Sequence, residues 1–133
     1  MIKKLFLSST LSILFVLVFS SAAFTQFKQR VHFAKGSSSA TVKGIVRGYG
    51  YTNYIIGARS GQEISVNLSA ANTFAVFTVF LPNGDNLEGA TEQNEFSGEL
   101  PESGDYVVRV YMMRSEARRK NSNAAYALKI SIH

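Results

Sequence analysis

Four basic side chains lie close together in one connection near the end of the chain: Arg114, Arg118, Arg119 and Lys120. The connection covers residues 112–125, between two segments with strong strand patterns, and contains neither proline nor glycine. Because Arg114 and Arg118 are four residues apart, a single helical turn would direct both guanidinium groups the same way. Two planar cations on one side of a protrusion suit a target site lined with carboxylates. The same arginines could instead be surface residues that pair with Glu116 or with the acidic residues upstream.

The sequence offers few residues for catalysis or metal binding. The chain has two histidines, His32 and His133, no cysteine, and no serine in a nucleophile-elbow pattern that a base could activate. No spacing of His, Cys or carboxylates is typical of a metal site. Asp85 and Glu88 could bind calcium, or simply form a solvated turn. Carboxylates of the 85–105 segment could form a glycosidase pair, but charges in turns are usually only solvated. We therefore predict no catalytic residue, no metal and no cofactor.

The charge pattern argues against nucleic-acid binding. The formal net charge is +5, and it falls to +3 once the charges of Lys3 and Lys4 are subtracted. Seven of the nine acidic residues lie between Asp85 and Asp105, with the basic residues mostly on either side. We expect a dipolar surface that can orient a partner, rather than a basic face for nucleic acid.

The N-terminus has the layout of a secretory signal peptide. Lys3 and Lys4 precede an apolar run, residues 5–19, and small residues follow it. We predict a signal peptide over residues 1–23, with cleavage after Ala23 or Thr25, and one domain over residues 24–133 in the periplasm or secreted. The apolar run is short for a bilayer span, which needs about 20 residues. No membrane span is expected after cleavage.

The remaining chain consists of short segments with alternating polarity, divided by turn signals. The predicted strands are 29–34, 40–47, 52–58, 63–69, 73–81, 96–100, 106–112 and 126–132. Gly44 and Ile45 disturb the alternation of the second strand and suggest a bulge. The segment 73–81 is apolar on both faces, so it lies either centrally or beneath a covering loop. We predict an all-β fold, an antiparallel β-sandwich of about eight short strands, jelly-roll-like.

Four segments together follow the pattern of one known family. They are residues 30–40 with their Lys-Gly and serine turn, Gly-Tyr-Gly-Tyr at 48–51, Leu-Pro-Glu-Ser-Gly-Asp-Tyr at 100–106, and Arg-Ser-Glu-Ala-Arg at 114–118. By these segments the chain resembles the bacterial periplasmic inhibitors of g-type (goose-type) lysozyme. The similarity covers nearly the whole domain, apart from about residues 70–98.

This resemblance implies a non-enzymatic protein whose partner is a g-type lysozyme. It implies that Tyr49, Arg114 and Arg118 enter the substrate cleft of the enzyme and occlude it competitively. It also implies secondary contacts from four neighbours: Tyr51, Ser115, Glu116 and Arg119. Glu116 could orient Arg114 and Arg118 by pairing with them locally. Tyr49 has an alternative role as a corner tyrosine buried against the sandwich, and Tyr51 could instead be a packing residue.

A second family shares part of the pattern. The Gly-Gln turn at 61–62, the Pro-Asn-Gly turn at 82–84 and the approach to the strand at 106 also resemble the pre-peptidase C-terminal β-sandwich module. That module is an accessory binding domain, for polysaccharide or protein, of larger secreted enzymes. The Gly-Tyr-x-Tyr pair together with Arg-x-x-x-Arg favours the inhibitor family.

Overall fold

The computed structural model describes residues 26–133, which fold into two four-stranded β-sheets. The strands are β1 (Gln26–Arg30), β2 (Ser39–Arg47), β3 (Tyr51–Ala58), β4 (Glu63–Ala70), β5 (Ala75–Phe80), β6 (Glu95–Glu99), β7 (Gly104–Met112) and β8 (Asn123–Ile132). One helical turn, α1 (Arg114–Ala117), lies between β7 and β8. The predicted all-β sandwich is confirmed. The predicted signal peptide and its cleavage point lie outside the described residues.

Successive strands alternate between the two sheets. The odd sheet has the order β1-β3-β7-β5 and the even sheet has the order β2-β8-β4-β6. β1 and β3 run in the same direction and pair in parallel. All other strand pairs are antiparallel. The parallel pair is therefore a departure from the predicted antiparallel arrangement. No helix of residues 26–133 combines the length and apolarity that a bilayer span requires.

Two predicted details of the first strands are wrong. The strand predicted at 29–34 ends at Arg30. Val31 still donates a backbone hydrogen bond to Ile55 O at 2.9 Å, and the side chains of Val31 and Phe33 pack on the core where the chain crosses to the other sheet. The bulge predicted at Gly44 is absent, because β2 pairs with β8 in unbroken register along its whole length. A Cβ on Gly44 would lie 2.6 Å from the Tyr126 hydroxyl oxygen. The glycine therefore makes room for a tyrosine ring.

The core lies between the inward faces of the two sheets. Both sheets contribute large, fully buried aliphatic side chains: Ile56, Val79, Val108 and Val110 from the odd sheet, and Ile64, Val66, Leu128 and Ile130 from the even sheet. One polar contact joins the sheets, between the hydroxyls of Tyr54 and Tyr126 at 2.6 Å. Burial raises the pKa of Tyr54 well above its usual range. The sandwich has no cysteine, so apolar burial and hydrogen bonds hold it together.

Strand β5 lies at the end of the odd sheet, and a loop covers its free edge. Residues 86–93 run alongside it, and Phe77 exchanges two backbone hydrogen bonds with Gln93, at 2.8 and 2.9 Å. Val79 likewise donates to Ala90 O and accepts from Leu87 N. Of the two predicted environments, the covering loop is the one observed. The irregular acidic segment thus protects a sheet edge that would otherwise be open.

Candidate functional site

The connection between β7 and β8 is a compact structure and not a solvated excursion. Its first residue, Met113, donates a backbone hydrogen bond to Phe74 O at 2.9 Å. Ala117 N then bonds to Met113 O at 2.9 Å and Arg118 N to Arg114 O at 3.2 Å, which closes the turn α1. Arg114 and Arg118 therefore flank a single helical turn, and both are exposed.

The second half of the connection is tied back to the body. The Ser122 hydroxyl donates to Ala117 O at 3.2 Å, and both residues are buried. Asn121 takes a positive φ of 59°, a conformation that asparagine tolerates better than most residues. These contacts fix the path of the chain into β8, so the backbone that carries the exposed arginines is ordered.

Glu116 stabilises the helical turn α1 through two side-chain contacts. Its side chain is 13% exposed and forms a salt bridge with Arg119 at 3.5 Å. Its other carboxylate oxygen accepts a hydrogen bond from the Asn72 amide at 3.0 Å. The structure thus pairs Glu116 with Arg119 and not, as expected, with Arg114 or Arg118. The predicted secondary contact Ser115 is exposed on α1.

Tyr49 lies in a tight turn that touches the same connection. Gly50 N bonds to Arg47 O at 2.9 Å and closes the turn. Gly48 has a φ of 53°, which glycine adopts without strain. Gly48 N also donates to Ser122 O at 3.0 Å, which ties the turn to the β7–β8 connection. Tyr49 is 45% exposed, so the alternative of a buried corner tyrosine does not hold.

Two surface cavities flank Tyr49, which lines both of them. The first cavity, of about 450 Å³, is lined by Arg47, Arg118 and Arg119 among others. The second cavity, of about 340 Å³, is lined by Arg114, Arg109 and Glu92 with several aromatic rings. The structure thus brings Tyr49, Arg114 and Arg118 to one end of the sandwich, with the tyrosine between the arginines. We call this surface, the two cavities and their lining residues, the loop end.

Sequence reasoning missed Arg109, which also lines the second cavity. Its guanidinium carbon lies 4.1 Å from the ring centroid of Tyr51 and 5.0 Å from that of Phe80. Its Nε donates to Asn53 Oδ1 at 2.8 Å. Polarity alternation indicates that Arg109 points outward, but its neighbours depend on strand order, which that signal does not contain. Tyr51 is half-buried beneath the guanidinium.

The second cavity presents cations, phenols and one carboxylate. The Tyr111 hydroxyl shares a hydrogen bond with Thr78 at 2.9 Å, and burial raises the pKa of Tyr111. The nearby Glu92 carboxylate raises that pKa as well. In residues 26–133, no three potential metal-ligating side chains cluster together. Such a surface is suited to binding an anion through charge-assisted hydrogen bonds.

The fold and the loop end define the class of this chain as a small β-sandwich domain with an arginine- and tyrosine-rich end. Over 132 residues it is 31% identical to the inhibitor of g-type lysozyme of Escherichia coli K12, covering 91% of this chain and 93% of that protein. The crystal structure of Aeromonas hydrophila PliG, a periplasmic lysozyme inhibitor of g-type lysozyme, matches with a TM-score of 0.71 and 34% identity. That match covers 81% of this chain and 97% of the solved one. The chain belongs to the family of g-type lysozyme inhibitors.

Two further comparisons bear on the fold and not on the family. No protein-family model matches the chain. The pre-peptidase C-terminal domain of a Bacillus anthracis collagenase matches with a TM-score of 0.56 at 15% identity, covering 80% of this chain and 97% of that one. That likeness shows a shared fold alone. The relatives of higher identity are inhibitors, which confirms the prediction of a non-enzymatic protein, and the Aeromonas relative is periplasmic, in agreement with the predicted periplasmic location.

Proposed function

We propose that this protein inhibits g-type lysozyme in the periplasm by inserting Tyr49, Arg114 and Arg118 into the substrate cleft. The observation that carries the proposal is the convergence of these three residues at the loop end, where Tyr49 lines the cavities on both sides. Family membership supports a g-type lysozyme as the partner. Inhibition is competitive occlusion and needs no chemistry on the inhibitor.

The residue types suit such a cleft. A lysozyme needs a catalytic glutamate and auxiliary carboxylates around the scissile bond. Arg114 and Arg118 are exposed, and each can donate hydrogen bonds to a carboxylate in a partly desolvated groove. A hydrogen bond to a charged group contributes about 1.5–3 kcal/mol in the general case. Tyr49 adds a rigid ring and a hydroxyl at low entropy cost.

The loop end is organised before the partner arrives. The Gly48–Ser122 hydrogen bond couples the Tyr49 turn to the connection, and the Glu116 contacts hold α1 against the body. Ordering of loops and side chains is a major cost of association. Because the backbone beneath the arginines is already fixed, little of that cost falls on the binding step.

The charge distribution favours one orientation of approach. The arginines of the connection lie at the loop end, whereas Asp105 lies at the other end of β7, paired with Gly57 near the end of β3. Glu102 precedes β7 at that same far end. Asp105 is paired with Arg30 there. The loop end is itself positive, because five arginines line its two cavities and Glu92 is the one carboxylate among the lining residues, and a cleft of carboxylates attracts such an end. Such complementarity raises association rates and falls with salt.

A lysis assay with a panel of lysozymes tests the function. We expect the purified protein to slow cell-wall lysis by goose-type lysozyme at micromolar concentration. Hen-type lysozyme serves as the comparison that measures selectivity. A pull-down on cell-wall polysaccharide against a pull-down with lysozyme separates the alternative of a glycan-binding module. No effect on the goose type at micromolar inhibitor, with retention on glycan alone, would contradict the proposed function.

A further inference from the structure

Arg109 occupies an unusual position for an arginine. It lies on the central strand β7, in register with Asn53 of β3 and Thr78 of β5. Its chain neighbours Val108 and Val110 are buried in the core, and its own side chain points to the outer face of the odd sheet. Its guanidinium is held in place by three groups: the rings of Tyr51 and Phe80, and the Asn53 amide oxygen. Both rings belong to diagonal neighbours on the flanking strands, where long side chains reach one another.

No carboxylate pairs with this half-buried cation. In the described part of the chain the salt bridges join Arg30 to Asp105 and Arg119 to Glu116. Of the Arg109 nitrogens, Nε alone has a hydrogen-bond acceptor among residues 26–133. A guanidinium has further donors on its terminal nitrogens. Arg109 therefore brings ordered and unused donors to the second cavity, which it lines together with Tyr49 and Arg114.

The arrangement favours an anion over a stacked sugar. A carbohydrate ring stacked beside Arg109 would need the faces of Tyr51 and Phe80, and the guanidinium of Arg109 already lies over both of these rings. Those contacts hold the guanidinium while leaving its edge available for a planar acceptor. A carboxylate matches that edge in a bidentate pair. Glu92 lines the same cavity but forms no salt bridge with Arg109 in the region described.

We propose that Arg109 is a further partner-binding residue that pairs with a carboxylate of the bound lysozyme. The inference rests on the proposed function, because a partner that covers Tyr49 and Arg114 also covers the cavity that the three residues share. Tyr51 and Phe80 are positioning residues that hold the guanidinium, with Asn53 as its hydrogen-bond acceptor. The lysozyme contact thus extends from the loop tip onto the outer face of the odd sheet.

The test measures the affinity of variants for goose-type lysozyme at several salt concentrations. Arg109→Gln removes the charge, and Arg109→Lys keeps the charge but loses the planar edge and the stacking. We expect both to weaken binding about tenfold or more, with a smaller salt dependence for Arg109→Gln than for the wild type. Tyr51→Leu should weaken binding less, because it only loosens the guanidinium. Arg59→Gln, in an exposed turn at the far end of the sandwich, is the matched control and should bind like the wild type.

The outcomes separate this inference from the proposed function. If Arg109→Gln and Arg109→Lys bind like the wild type while Arg114→Ala binds weakly, Arg109 has only a structural role in the sheet and the inference is overturned. If Arg109→Gln lowers the melting temperature, affinity is read from Arg109→Lys, which keeps the positive charge at this position. If the wild type itself does not bind goose-type lysozyme, the proposed function fails and this inference fails with it.

Discussion

Replacing both Arg114 and Arg118 by alanine is expected to weaken inhibition of g-type lysozyme by about a hundredfold or more. Each arginine would lose charge-assisted hydrogen bonds of about 1.5–3 kcal/mol, and about 1.4 kcal/mol corresponds to a factor of ten in affinity. Each single substitution should therefore weaken inhibition by about tenfold or more. The measurement is a titration of lytic activity with each purified variant.

The stability of these variants separates a binding role from a structural one. Both side chains are exposed, and among residues 26–133 neither forms a salt bridge. The melting temperature should therefore stay at the wild-type value. Arg59→Ala, which removes an exposed arginine at the far end of the sandwich, should leave inhibition unchanged. Wild-type potency in the double variant would show that the connection is not the inhibitory element.

Gly44→Ala is expected to be the most damaging single-methyl substitution in the sheets. The new Cβ would lie 2.6 Å from the Tyr126 hydroxyl oxygen and 2.9 Å from Cζ of the same ring. The ring is hard to displace, because it is buried and its hydroxyl bonds to Tyr54 at 2.6 Å. Overpacking of this kind costs about 1–3 kcal/mol of unfolding free energy. For a domain of this size that corresponds to a fall of several degrees in melting temperature.

Thermal unfolding of four variants tests this explanation. Gly57→Ala is the matched control, since its Cβ would meet its nearest atoms at 3.5 and 3.7 Å, an ordinary contact. Tyr126→Phe alone should cost about 1–3 kcal/mol, because it leaves the buried Tyr54 hydroxyl without its partner. The double variant Gly44→Ala with Tyr126→Phe should be less destabilised than the sum of the two single changes, since the closest clash is removed. An unchanged melting temperature for Gly44→Ala would contradict the packing argument.

The sequence predicts most of the strands well because one inward face dominates their alternating patterns. It fails where another force decides the local structure. At Val31 and Phe33, packing on the core from a crossover produces the same alternation as a strand. At Gly44, a break in polarity signals a close approach by Tyr126 rather than a bulge. The parallel pairing of β1 depends on which strand becomes its neighbour in the sheet and on the direction in which the chain returns to that sheet, a global property that no local pattern contains.

The candidate site is subject to the same limit, because a local sequence pattern does not show which strands become neighbours. Residue types and the resemblance single out Tyr49, Arg114 and Arg118, but their proximity depends on pairing. In the even sheet Arg47 is the register partner of Asn123, so the turn after β2 lies beside the connection that leads into β8. Arg109 becomes visible as a candidate only when strand order places it between the rings of two neighbouring strands.

Competition for the lysozyme cleft is the most direct test of the central claim. Goose-type lysozyme is saturated with an N-acetylglucosamine oligosaccharide, a substrate analogue, and the affinity of this protein for the enzyme is then measured. Competitive occlusion predicts mutually exclusive binding, so the apparent Kd should rise in proportion to the oligosaccharide concentration. A lysozyme that binds both ligands at once, with an unchanged Kd for this protein, would contradict insertion of the loop end into the cleft.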